Sequence, residues 1–341
     1  MEERSFYTFK DSYKTFLWAL LLPQVVSIVL ATIFSFFYTS TEELTSSLIY
    51  LFVATILAQA CFAFIVFYYN KKNKIGFKTA TKLNNKCSAK NLIVCAVISV
   101  VAVFGFVNLI NMINSGFASI GFNQTSYSLP NNTFYWFIIN VILLAVIPAI
   151  LEELVFRGMI FNGLRGRGFW FASVISTVMF ALIHLSISQL IFPLIMGMIF
   201  CFVLEKTGSL KATITLHFCN NFIVLLISYI NSLIGFDFTY ISPNSALNVI
   251  LIILIALASA SLIFVLIEFC IKKPEKISIQ DTNTPENNIN VTMSQNNLNF
   301  ADNLSNNLTK PDKKSQNKYI LGSLCVGILI WLIYVLSELF A

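Results

Sequence analysis

The sequence predicts an all-α, polytopic transmembrane helical bundle, and three observations predict it. Of the 341 residues, 57% are hydrophobic and only 11% are charged, whereas an ordinary soluble domain carries about 25% charged residues. Apolar stretches long enough to cross a bilayer, about 20 helical residues each, recur from one end of the chain to the other. Lysine and arginine gather in alternate loops between these stretches, which is how short cytoplasmic loops are marked.

Nine spans are expected, at 15–38, 47–69, 91–112, 134–163, 169–190, 191–204, 212–231, 246–271 and 319–340. Eight make the core of the bundle, and the ninth is a C-terminal addition. The first is too long for a signal peptide and no small-x-small cleavage site follows it, so it reads as an anchor. The sixth is short and begins at Pro193, which suggests a broken or re-entrant segment. If the spans alternate, 21 of the 22 Lys and Arg residues fall on one side, and the exception is Arg157. The loops 39–46, 113–133 and 232–245 hold no Lys or Arg. This places the N-terminus in the cytoplasm and the C-terminus outside.

The net charge of +6 therefore reports membrane orientation and suits anionic headgroups. The partner it implies is the lipid bilayer. A nucleic-acid partner would need a basic, aromatic platform, which the chain lacks. Seven cysteines, with no paired spacing, read as free thiols. Residues 70–90 form a lysine-rich loop without acids, a solvated face over the headgroups. Residues 272–318 are dominated by Asn, with Ser, Thr, Gln and Lys, and have little to bury. They read as a disordered cytoplasmic linker to the ninth helix. The resulting divisions are 1–133, 134–228, 229–271, 272–318 and 319–341, with the informative chemistry in the second.

An ionisable side chain at mid-bilayer costs about 2.5–3.5 kcal/mol on insertion scales and marks a functional site by default. The fourth span carries three together in Ile-Leu-Glu-Glu-Leu-Val-Phe-Arg-Gly, 150–158. Glu153 and Arg157, at i and i+4, can neutralise each other. Glu152 lies about 100° around the helix without such a local partner, a position suited to a general base. The only two histidines both lie in spans: His184 on the fifth, and His217 on the seventh with Asn221 one turn on. Each has a structural alternative. Glu153–Arg157 can be helix-to-helix glue, as can a lone membrane histidine, Asn220 or Asn221. Cys219 reads as a small apolar residue, and Glu268 and Glu338 read as interfacial. The set carries more weight than its members, since every structural alternative would have to hold together.

Glu-Glu-x-x-x-Arg at 152–157, Phe-x-x-x-His at 180–184 and His-x-x-x-Asn at 217–221 resemble, in this order, the three motifs of the CAAX-protease and bacteriocin-processing family. This family is also called the Abi family and includes the eukaryotic Ras-converting enzyme. Thr-Gly-Ser-Leu at 207–210 adds to the likeness, which covers about 134–228. The resemblance implies an intramembrane endopeptidase without a cofactor. Glu152 and His184 would activate a water, and His217 and Asn221 would stabilise the oxyanion. Glu153 and Arg157 would support the fourth helix.

No His-Glu-x-x-His helix, Gly-x-Ser-x-Gly elbow or intramembrane aspartate pair occurs. Zn²⁺ held by Glu152, His184 and His217 stays open as an alternative, as does a transporter or a non-catalytic immunity or scaffold protein. The Asn-, Ile- and Lys-rich composition points to an AT-rich bacterium and its plasma membrane, with a membrane-associated peptide or protein as substrate. Depth along the helices gives a partial check. At about 1.5 Å per residue, Glu152 lies about 20 Å from Arg165 and His184 about 21 Å from Trp170, but His217 only about 9 Å from Lys211.

Overall fold

The computed structural model describes residues 7–73, 76–122, 129–272 and 313–340, and every regular element among them is helical. The main helices are α1 (Phe9–Phe34), α2 (Leu48–Asn73), α3 (Ala89–Ser119), α4 (Phe134–Arg167), α5 (Phe169–Leu182), α6 (Ile191–Thr207), α7 (Leu210–Ile234), α8 (Ala246–Cys270) and α9 (Lys313–Phe340). The chain is an integral membrane protein, with helices apolar on nearly every face.

Polar residues set the helix ends. Thr8 Oγ1 accepts the Asp11 N–H at 3.3 Å while Asp11 Oδ2 accepts the Thr8 N–H at 2.8 Å, a reciprocal cap that starts α1. Ser88, Thr133 and Ser245 cap α3, α4 and α8 in the simpler one-way form. Gly208 and Gly235 end α6 and α7 at φ of 63° and 78°, the left-handed conformation in which glycine carries no penalty.

The central element is α4, which touches α1, α2, α5, α6 and α7. Around it α7 packs on α3, α3 on α8, α1 on α2, and α5 on α6. The two ends of the bundle differ in charge. At one end Arg165 pairs with Glu205, and Lys206 Nζ with Glu268 at 2.5 Å. There Asn85 Nδ2 donates to the Gly208 carbonyl at 2.5 Å, and Ser209 Oγ to the Asn85 carbonyl at 2.9 Å. The lysine-rich loop is thus more than a solvated face, because it clasps the Thr207–Leu210 turn. The opposite end is joined by Asn108 to Thr239 and Ile241, and by Asn131 to the Leu225 carbonyl. Glu42, Glu43 and Asp237 lie there, with no Lys or Arg among the described residues.

Among the described residues, seven helices are long and apolar enough to cross a membrane by length and composition, and the fifth and sixth of the nine expected spans are shorter than these. The fifth span stops at Leu182 rather than 190, and the sixth runs to Thr207 rather than 204. Their 14 and 17 residues rise about 21 and 26 Å, against about 30 Å of hydrocarbon. The physical reason is the backbone of 183–190. Leu185 takes φ 51°, Ser186 and Ser188 hydroxyls pair at 2.8 Å, and Pro193 fits only the first turn of α6. Hydropathy cannot see any of these.

The ninth helix packs against the first and fifth. Tyr319 stacks on Tyr13 with centroids 5.2 Å apart, and Tyr334 Oη donates to Gln24 Oε1 at 2.6 Å. A Cβ on Gly327 would lie 2.9 Å from Phe16 Cζ and 3.3 Å from Leu182 Cδ1, so glycine lets α9 seat against α1 and α5. Residues 273–312, most of the expected disordered linker, lie outside the described residues.

Candidate active site

Two stretches of α4, Val141–Val146 and Leu154–Phe161, are π-helical, with i→i+5 bonds that widen the helix, as is common at functional sites. Glu153 and Arg157 form the ion pair expected from their spacing, with Nη1 and Oε1 2.9 Å apart and both side chains 0% exposed. The guanidinium is also held from other helices. It lies 4.4 Å from the Phe180 ring of α5 and 4.6 Å from the Phe200 ring of α6. Its Nη2 donates to the Gly197 carbonyl at 3.3 Å. Gly197 also lets α6 seat against α5, since a Cβ there would lie 2.8 Å from Thr177 Cγ2.

Glu153 has a second partner. Its Oε1 is 3.0 Å from His217 Nδ1 on α7, so the carboxylate joins two helices and does more than support the fourth. An ionised carboxylate only accepts hydrogen bonds, so His217 Nδ1 carries the proton. The other ring nitrogen, Nε2, is 3.9 Å from Glu152 Oε2, and it donates only when the ring is doubly protonated. The His217 ring stacks on Phe200, centroids 5.0 Å apart. Glu152 has no partner on its own helix but faces His217 across the helix interface.

His184 sits in the turn just past α5. Its Nδ1 is 2.9 Å from the Phe180 carbonyl, which can only accept, so Nδ1 donates and Nε2 of the neutral ring is left as an acceptor. Asn221 Nδ2 donates to the Leu144 carbonyl at 3.0 Å. Pro148, four residues after Leu144, has no N–H to offer that carbonyl, and the amide of α7 takes its place. Asn221 Oδ1 accepts from Asn220 Nδ2 at 3.2 Å.

Glu152, His184, His217 and Asn221 line one cavity of about 540 Å³. The same walls carry Asn220, Asn111 and Gln59. Asn220 reads from sequence as a helix contact, and the other two have no motif; their only signal is an amide inside an apolar window. The depth mismatch at His217 disappears in the fold. The His217 ring nitrogens lie 3.0 Å from Glu153 Oε1 and 3.9 Å from Glu152 Oε2, so His217 and the glutamates share one depth. For a metal, the donors free of intramolecular bonds are His184 Nε2, His217 Nε2 and Glu152. Among the described residues no three His, Cys, Asp or Glu side chains converge in a metal-holding group.

Fold and site together define a helical membrane protein with a buried glutamate–histidine–asparagine cavity. Residues 134–223 match the family model described as type II CAAX prenyl endopeptidase Rce1-like. All three motifs lie within this stretch, which is about a quarter of the chain, and their residues meet at the one cavity. YdiL of Bacillus subtilis (strain 168), provisionally named a membrane peptidase, is 33% identical over 88 residues, which are 25% of this chain and 36% of YdiL. The chain thus spans about a third of that relative's length. No solved structure matches it.

Proposed function

We propose that this protein is an intramembrane endopeptidase that hydrolyses a peptide bond with a water activated by Glu152 and His184. The observation that supports it is the meeting of Glu152, His184, His217 and Asn221, from α4, the turn after α5, and α7, around one cavity. Glu152 takes a proton from the water, which His184 Nε2 holds by accepting its other hydrogen. The oxygen bonds to the scissile carbonyl carbon and the carbonyl becomes an oxyanion. Doubly protonated His217 and the second N–H of Asn221 donate to that oxyanion. Collapse breaks the C–N bond, and the proton held by Glu152 passes to the departing amine. Every group in this sequence belongs to the chain, so the reading needs no metal.

The test compares membrane peptides from cells carrying the parent protein with those from cells carrying Glu152→Ala. New peptide termini that depend on Glu152, with ¹⁸O from labelled water in the new carboxyls, are the expected result. Identical termini in both strains would sink the peptidase reading and favour a transporter or scaffold. Loss of cleavage to a chelator, restored by added Zn²⁺, would replace the metal-free mechanism with the zinc alternative.

A further inference from the structure

The cavity is sealed toward the Lys/Arg end of the bundle. Phe180, Phe200 and His217 line it, and the fully buried Glu153–Arg157 pair packs behind them. Along α4 and α6 follow Phe156, Met159, Phe161 and Leu204, all 0% exposed. Helix contacts below are tighter still, since a Cβ on Gly163 would lie 2.2 Å from Ser12 Oγ and 2.6 Å from the Thr8 carbonyl oxygen. Interiors packed at this density leave no channel.

Toward the opposite end the wall is incomplete. Helices α5 and α6 rise only about 21 and 26 Å before the 183–190 turn, whereas α3 and α4 have 31 and 34 residues and continue past it. Gln189 in that turn is exposed, and Val224 on α7 is 45% exposed, although both line the cavity. Irregular backbone at membrane depth is tolerated where it lines a cavity. The walls beside the gap carry the amides of Gln59, Asn111 and Asn220. A helical segment has already satisfied its backbone and needs no such partners, whereas an extended one brings unpaired N–H and C=O groups that amides can meet.

We propose that polypeptide reaches the site through this gap, as an extended segment, from the face opposite the Lys/Arg-rich loops. With basic loops in the cytoplasm, the substrate class is a translocated or membrane-anchored peptide whose scissile bond lies on the extracytoplasmic half. The proposal rests on the peptidase reading for its substrate, but the route itself can be measured without catalysis.

The protein is made with Cys87, Cys219, Cys270 and Cys325 replaced by Ala, keeping the buried Cys61, Cys95 and Cys201. Single cysteines are then placed by Gln189→Cys or Val224→Cys, with Asp237→Cys and Lys211→Cys reporting the two faces. A membrane-impermeant maleimide is applied to intact spheroplasts and to inverted vesicles. Gln189→Cys and Val224→Cys should label from the same side as Asp237→Cys, with or without Glu152→Gln. Labelling from the Lys211 side, or from neither side in both variants, would overturn the route. Glu152-dependent termini that all lie on the Lys211 face of their parent proteins would overturn it as well. Correct labelling with no Glu152-dependent termini would leave the route standing and remove the peptidase reading alone.

Discussion

Glu153 accepts hydrogen bonds from Arg157 on its own helix and from His217 on α7, so three ionisable groups share one buried oxygen. Removing one member of a buried pair strands the other and costs about 3–5 kcal/mol. Glu153→Ala and Arg157→Ala should therefore lower the yield of folded protein and its melting temperature. The double change to Leu at both positions should recover stability better than either single change. Recovery will stop short of the parent, because His217 Nδ1–H then has no acceptor. A parent-like melting temperature for Arg157→Ala would mean that the guanidinium is not held as the structure shows. Asn221→Ala strands the Leu144 carbonyl but no charge, so its stability should fall by about 1–3 kcal/mol, less than that of the charge variants. Cleavage should lose about 10²–10³ in rate if Asn221 donates to the oxyanion. A rate within a few-fold of the parent would take Asn221 out of that role. At this scale the motif residues were legible because charge in an apolar window is rare. Asn220, Asn111 and Gln59 were not, since single amides in membrane helices commonly serve packing.

At the scale of the element, α4 has to present Glu152 and Glu153 to two other helices, and its π-helical turns and Pro148 aim them. Pro148→Ala would give the Leu144 carbonyl an N–H of its own helix and release Asn221 from it. The expected outcome is a higher melting temperature with slower cleavage, a split that a purely structural proline would not give. If stability falls and rate holds, the Leu144–Asn221 bond does not matter to the site. Gly163→Val tests the packing below. The Thr8 carbonyl oxygen belongs to the cap of α1 and cannot move aside, so overpacking should cost about 1–3 kcal/mol, read as a lower melting temperature. An unchanged value would mean that α1 and α4 are farther apart than described. The spans on either side of α5 and α6 were readable to within a few residues at most ends, because hydropathy follows burial in lipid. The break at 183–190 was not, because it depends on backbone geometry and on serine hydroxyls pairing locally.

Across the whole molecule, charge separates the two ends: Lys and Arg cluster at one, and Glu42, Glu43 and Asp237 lie at the other. Two full crossings by α5 and α6 or a hairpin that turns back both return the chain to the same side, so the shortness of these two helices leaves the parity unchanged. A fluorescent protein fused at the N-terminus and a phosphatase active only outside the cytoplasm fused after Ala341 should therefore both be active in one bacterial cell. An inactive phosphatase with normal accumulation would overturn the topology. By itself the sequence determined the membrane class, the charge asymmetry and the polar residue types that line the cavity, since each follows from the energy of moving a side chain into lipid. It also paired Glu153 with Arg157, a contact set by helical spacing alone. Only the tertiary structure decided that Glu153 also holds His217, that Asn221 answers the carbonyl opposite Pro148, and that the site is closed at its basic end. Those contacts join residues 40 to 148 positions apart, and their partners are chosen by packing between helices, which no local pattern records.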